Sequence, residues 1–426
     1  MELGIVADDN TGATDAAGML TECGARTLLI CGAMPSNAEF EAYDAVVIGT
    51  QSRSIDPQSA YRRVAEVVRL FLSAGARKIQ LKYCSTFDST PAGNIGPSLD
   101  AALDALGLDW AVVAPALPGL GRTTYQGYHF VGDQLLSESA MRNHPLNPMT
   151  DGNIVRWLKA QTKRTVTLAP LAVVRQGSAA LAQFIARRVV QGASYIVVDA
   201  IDDGDLAVAA EATATSPFVS GASGITAALA RMLFPGRPPL SFADRLARIP
   251  RTTAVIAGST SESSRAQNAM ASQNGFHEIS IAGPQILLGK VSPQEVAQAA
   301  AEHLARGEHV LVSSKVESCA DVEQTQKLGA ELGLTAIQTG VVIARFLAEV
   351  ARQLVENPCL GRLIVAGGET SCFVCDSTGI SRLEVGLPLD PGVPYCFPLG
   401  LSRDLLVVLK SGNFGDKDLY CKVASL

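Results

Sequence analysis

The sequence predicts an α/β protein of two domains, each a largely parallel sheet flanked by helices, with the active site in the cleft between them. Three observations predict it. Short apolar runs alternate with helix-periodic segments from Leu3 onward, the alternation breaks at FPGRPPLS (234–241), and it resumes at Thr253. At 426 residues the chain exceeds one typical core, and 47% hydrophobic against 18% charged residues makes burial easy and wholesale disorder untenable.

Leu3–Ala7 is the first strand, ending at Asp8-Asp9-Asn10-Thr11-Gly12 before a helix of small and apolar residues. Carboxylates at the carboxyl end of a parallel strand sit where open α/β sheets bind ligands. Thr27–Ile30 and Ala45–Gly49 are strands, Gln58–Ala74 a helix and Lys78–Lys82 the next strand. TQSRSID (50–56) again follows a strand end, and its Arg53 is a fork suited to a carboxylate.

After Lys82 the chain runs YCSTFDSTPAGNIGP, dense in hydroxyls with one carboxylate, Asp88. An ordinary strand-to-helix connection needs only turn residues and an N-cap, so this longer loop is read as built to hold a small, anionic, hydroxylated ligand. Ala111–Ala114 is a strand, followed by some forty residues rich in glycine and proline that are read as a lid or binding segment; Arg122, His129, His144, Asn147 and Asp151 lie there. Thr165–Leu168 and Tyr195–Asp199 are strands, Ala179–Gly192 a helix, and SGASG (220–224) turns into another helix.

Three prolines and a glycine in eight residues deny regular structure to 234–241, so the boundary falls there, giving domains 1–240 and 250–426. In the second domain Thr253–Ala257, Val310–Val312, Arg362–Ala366 and the apolar run before Lys410 are strands, while Pro293–Ala305 and most of Leu328–Val355 are helical. Three strands open into glycine turns: Gly258-Ser259-Thr260-Ser261, Gly367-Gly368-Glu369-Thr370-Ser371 and Lys410-Ser411-Gly412-Asn413. Glycines let backbone N–H groups approach phosphate oxygens, and helix N-termini add donors. No GxxxxGK[ST] and no GxGxxG after the first strand occurs, which excludes a P-loop and a dinucleotide fingerprint. One lobe for a polyhydroxy acid and one for phosphates is the arrangement phosphoryl transfer needs.

The formal charge of −6 leaves no footprint for nucleic acid or an anionic membrane, and no apolar run approaches a membrane span. Nine cysteines, scattered apart from Cys372-Phe-Val-Cys375, suggest packed thiols in a reducing compartment, and with the acidic start MELGIVADDN point to the cytoplasm. The length demands no oligomer and permits one.

IVADDNTGATDAA near the start, with VAGGETS and LKSGNFG near the end, resembles the four-carbon acid sugar kinases, ATP-dependent enzymes acting on tetronate-type acids. KYCSTFDST with GNIGP, GRTTYQGYHFV and HPLNPMTDGN is similar to the 3-oxo-tetronate kinase branch, whereas threonate and erythronate kinases tend to carry K-x-D-S-T-x-R-G. The resemblance implies sugar acid on the first domain, lined by Asp8, Asp9, Arg53, Lys82, Ser85, Asp88 and Arg122, and ATP on the second, touching Ser259, Gly367, Gly368, Glu369, Thr370 and Gly412. It implies Mg²⁺ bridging phosphate oxygens, with no metal ligand named, and attack by the substrate's C4 hydroxyl. Asp8, Asp9 or Asp88 would take the proton, and Lys82 or Arg53 would hold the substrate carboxylate. A threonate or erythronate kinase, or a sugar-acid-binding protein without catalysis, is the alternative; the intact GGETS and SGNFG turns speak against the last.

Overall fold

The computed structural model describes residues 1–32, 40–144, 147–315 and 319–426; Pro145 and Leu146 of HPLNPMTDGN lie outside them. It divides into two compact units, Met1–Ile30 with Met34–Pro239, and Leu240–Leu426 with Cys31–Ala33.

In the first unit the strands are β1 (Leu3–Ala7), β2 (Thr27–Cys31), β3 (Ala45–Gly49), β4 (Lys78–Lys82), β5 (Ala111–Ala114), β6 (Arg122–Tyr125), β7 (Tyr128–Val131), β8 (Gln134–Leu135), β9 (Val166–Ala169), β10 (Tyr195–Val198) and β11 (Phe218–Gly221). The main sheet has the order β2-β3-β1-β4-β11-β5-β10-β9. β1 pairs in parallel with β3 on one side and β4 on the other, and all five residues of each of these strands are buried. Such Val/Ile/Leu runs, covered on both faces, are what a parallel sheet demands. Ala7 stands opposite Gly49 and Lys82, and Lys82 opposite Gly221. The segments after four strands therefore leave the sheet along one row, at the point where the connections diverge to either side of β1.

The second unit holds β12 (Thr253–Ala257), β13 (Phe276–Ala282), β14 (His309–Lys315), β15 (Arg362–Ala366), β16 (Arg382–Asp390), β17 (Val393–Pro398) and β18 (Leu406–Lys410), in the order β13-β14-β12-β15-β18-β17-β16. Ala257 is opposite Ala366, and Ala366 opposite Lys410, so all three glycine turns start from one row.

β13 was not named in the sequence reading, and two further segments differ from it. The stretch taken as a lid forms a three-stranded antiparallel sheet, β6-β7-β8. Its tip, Gln126-Gly127, has both residues at positive φ (53° and 73°), the primed-turn geometry that matches strand twist. The antiparallel β16–β17 pair was not foreseen, because its three prolines, Pro388, Pro394 and Pro398, argue against strand; register shifts fall on either side of Pro388.

Candidate active site

Asp9 caps the helix Asn10–Glu22, accepting from the Gly12 N–H at 2.7 Å and the Thr11 hydroxyl at 2.9 Å. Arg53, from the loop after β3, grips Asp8 with Nε at 2.9 Å and Nη2 at 3.0 Å, and the same Nη2 lies 2.9 Å from Asp9. The Asp8 carbonyl fixes that loop in turn, accepting from the Ser52 and Arg53 N–H groups at 2.8 and 3.1 Å. Lys82 ends β4 beside Asp9: a Cβ on Gly12 would fall 2.7 Å from its Nζ, which is why glycine opens this helix. Burial works to raise the Asp9 carboxyl, but Arg53, Lys82 and the two hydrogen bonds outweigh it and hold it below the ordinary carboxylate value. Burial opposes the Arg53 charge too, yet Asp8 and Asp9 raise its pKa well above normal.

The loop after β4 joins this cluster at Cys84. Burial first, then the Asp88 charge, pushes the Cys84 thiol up to about 12, with Arg53 opposing and Asp8 adding to the rise. Asp88 is buried and accepts from the Thr86 hydroxyl; among the described residues it has no ion pair. Asn94 ties the end of this loop to the Arg53 loop, donating to the carbonyls of Ser52 at 2.7 Å and Ile55 at 2.9 Å. Ser85 lends its carbonyl to the His129 ring at 2.7 Å. Arg122 stands on β6; its Nη1 donates to the Leu120 carbonyl, its Nε is buried without a hydrogen-bond partner, and it has no carboxylate partner among the described residues. Asp8, Asp9, Arg53 and Lys82 are thus one charged cluster, Asp88 adjoins it at Cys84, and Arg122 belongs to the hairpin that touches Ser85.

Sequence reasoning missed Asp15. It is buried in the helix Asn10–Glu22, accepts from the Ser223 hydroxyl and faces Lys82; burial raises its carboxyl although Lys82 and Ser223 lower it. An acidic residue inside an otherwise small and apolar helix was the available signal.

In the second unit the turns after β12, β15 and β18 line a pocket of about 490 Å³. Ser259, Gly367, Gly368, Glu369, Thr370 and Gly412 all lie on its wall. Ser261 caps the helix Glu262–Gln273 and donates to the Gly412 carbonyl at 2.7 Å, stitching the first turn to the third. Gly367, at φ 127°, opens the helix Gly368–Thr378 with no side-chain cap, so the first N–H groups of that helix have no cap partner. Two helix N-termini and three glycine turns around one cavity make an anion cradle. Beneath it Lys410, wholly buried, donates to Ser264 Oγ at 3.2 Å and the Gly412 carbonyl at 3.1 Å, and burial pulls its ammonium down to about 7. Val322, Ile343 and Ala344 form an apolar end to the pocket, and burial raises the Glu369 carboxyl on its wall.

Among the described residues no group of three or more His, Cys, Asp or Glu side chains is arranged to hold a metal ion, and no single helix is long and apolar enough to cross a membrane.

Comparison with known proteins gives this geometry a setting. Residues 3–229 match a family model described as a sugar-binding N-terminal domain, and residues 254–420 one described as a nucleotide-binding C-terminal domain. The chain is 38% identical to a 3-oxo-tetronate kinase of Burkholderia multivorans over 99% of this chain and 96% of that one. It is 37% identical to another from Pectobacterium atrosepticum, over 99% and 98%. A crystal structure from Salmonella typhimurium LT2 matches with a TM-score of 0.85 at 33% identity, covering 99% of this chain and 98% of that one. The Haemophilus influenzae protein HI1011 matches with a TM-score of 0.79 at 33% identity over 99% of both. With a charged, hydroxylated cluster in one unit, a glycine-turn pocket in the other and this likeness along nearly its whole length, the chain belongs to the four-carbon acid sugar kinase family, among the 3-oxo-tetronate kinases.

Proposed function

We propose that the protein transfers the γ-phosphate of ATP to the C4 hydroxyl of a 3-oxo-tetronate, with residues 1–240 holding the sugar acid and 250–426 the nucleotide. The observation that carries the reading is the row of strand ends in each unit. One row gathers Asp8, Asp9, Arg53 and Lys82, and the other gathers three glycine turns on one pocket.

In the nucleotide unit Ser259, Thr370 and the backbone N–H groups of Gly368 and Gly412 receive phosphate oxygens, Gly367, whose own N–H donates to the Lys410 carbonyl at 3.0 Å, opens the helix beside them, and Val322, Ile343 and Ala344 offer the base an apolar wall. Among the described residues Glu369 is the acidic side chain on this pocket, and a Mg²⁺ ion there would be held by Glu369, water and the phosphates. When bound it neutralises charge on the transferring group.

In the sugar-acid unit the three aspartates differ in occupation. Arg53 holds Asp8 and Asp9, whereas Asp88 accepts one hydroxyl and carries no ion pair among the described residues, so Asp88 is the carboxylate free to take the C4 proton. Arg53 is already paired with Asp8 and Asp9; Lys82 and Arg122 have no ion pair among the described residues and are the side chains available to a substrate carboxylate.

A coupled ATP-turnover assay with Mg²⁺ against both C2 configurations of 3-oxo-tetronate, D-threonate, D-erythronate and L-threonate tests the reading. Turnover confined to the oxo-acids is expected. Turnover only on threonate or erythronate would move the chain to another branch, and none on any would favour a binding protein.

A further inference from the structure

We propose that His129 is a positioning residue, setting the main chain of the loop that carries Ser85 and Asp88 by a single hydrogen bond from its Nε2 to the Ser85 carbonyl. The inference rests on the reading that this loop meets the sugar acid.

His129 sits on β7 with no exposed surface, and each ring nitrogen has one partner: Nε2 lies 2.7 Å from the Ser85 carbonyl oxygen, and Nδ1 lies 3.0 Å from Thr124 Oγ1. A carbonyl only accepts, so Nε2 carries the proton; Nδ1 is then bare and accepts from the Thr124 hydroxyl. The ring is a neutral, one-way donor aimed at the loop. Burial supports this, bringing its pKa down to about 4, with the Ser85 contact opposing.

The loop needs such a hold. Phe87 is a non-glycine residue at φ 53°, closed by its N–H onto the Cys84 carbonyl at 2.9 Å, a left-handed conformation that persists only where the surroundings impose it. Downstream, Gln161 donates to Ser89 Oγ at 2.7 Å and accepts from the Gly96 N–H at 3.1 Å, and Asn94 ties the loop's end to Ser52 and Ile55. Upstream, the anchor is His129.

The platform behind the ring is itself fixed. Thr124 exchanges backbone hydrogen bonds with Ala200 at 2.8 and 3.0 Å, and Asp199 accepts from the Gln126 and Gly127 N–H groups at the hairpin tip at 2.8 and 2.9 Å. Residues 117–135 therefore act as a bracket, and His129 is its point of contact with the substrate loop.

The test uses the full-length protein with three variants. Glutamine places its amide nitrogen near Nε2 and asparagine near Nδ1, so His129→Gln restores the donor to Ser85 whereas His129→Asn and His129→Leu do not. Expected is kcat/KM for the oxo-tetronate within about threefold of wild type for His129→Gln, since one hydrogen bond is replaced. For the other two, a loss on the order of 10²-fold is expected from a misplaced loop. The KM for ATP is unchanged in all three. Equal losses in His129→Gln and His129→Asn, or a raised KM for ATP, would overturn the proposal.

Nitrogen chemical shifts of ¹⁵N-histidine in the wild-type protein give a second reading that needs no variant to fold. The Nε2–H tautomer should persist from pH 8 to pH 6, and an Nδ1–H or charged ring there would refute the contact. Wild-type turnover on no four-carbon acid would sink the reading of the reaction instead, and the tautomer would still decide the contact with Ser85.

Discussion

Arg53 spends one guanidinium on two carboxylates, and that arithmetic separates the roles of the aspartates. Asp8 and Asp9 are paired and Asp88 is not, so Asp88→Asn should lower kcat by about 10²- to 10⁴-fold, the span of a general base, with little change in either KM. Asp8→Asn should instead raise the KM for the sugar acid by loosening Arg53. Steady-state kinetics on the two variants checks this, and reversed effects would reassign the base. Lys410 makes a prediction about pH. Its buried ammonium titrates near 7 when folded, against an ordinary value of 10.5. Between these values the unfolded chain binds more protons, so this residue makes stability rise with pH across that window, and its destabilising effect is fully present below it. Thermal melts from pH 7 to pH 9 should show a steeper rise for wild type than for Lys410→Met.

At the scale of elements, the glycines of the turns are spatial requirements. A Cβ on Gly412 would enter the Ser259 hydroxyl, and one on Gly12 would fall 2.4 Å from Asp9 Oδ1 and 2.7 Å from Lys82 Nζ. Gly412→Ala should raise the KM for ATP and leave the KM for the sugar acid alone; Gly12→Ala should do the reverse. A double set of KM values on both variants distinguishes them. These elements were legible from the sequence because parallel strands buried on both faces are continuous apolar runs: β1, β3, β4, β12 and β15 fall where the pattern puts them. β6–β8 were missed because a hairpin rich in hydroxyls and glycine lacks a clean two-residue alternation, and β16–β17 because they carry three prolines. The candidate site was legible as residue types at strand ends. How its charges pair was not: the shared grip of Arg53, the Asp15–Ser223 contact and the link from His129 to Ser85 join residues 44 or more positions apart, which only the register of the sheet brings together.

At the scale of the molecule, residues 235–239, directly before the long segment of the second unit that begins at Leu240, are exposed and irregular. A nonspecific protease should cut first there, leaving two resistant fragments visible by mass spectrometry. ADP should protect the fragment that begins near Leu240, adding about 2.7 kcal/mol of stability at a concentration 100 times its Kd. The reaction of the whole chain is at one hydroxyl. Phosphorus NMR of ATP, Mg²⁺ and 3-oxo-tetronate incubated with the protein reads it directly. A phosphate on C4 couples to two methylene protons and a phosphate on C2 to one methine proton. ADP and a phosphomonoester triplet in equal amounts are expected; a doublet, or ATP left unchanged, would refute transfer to C4.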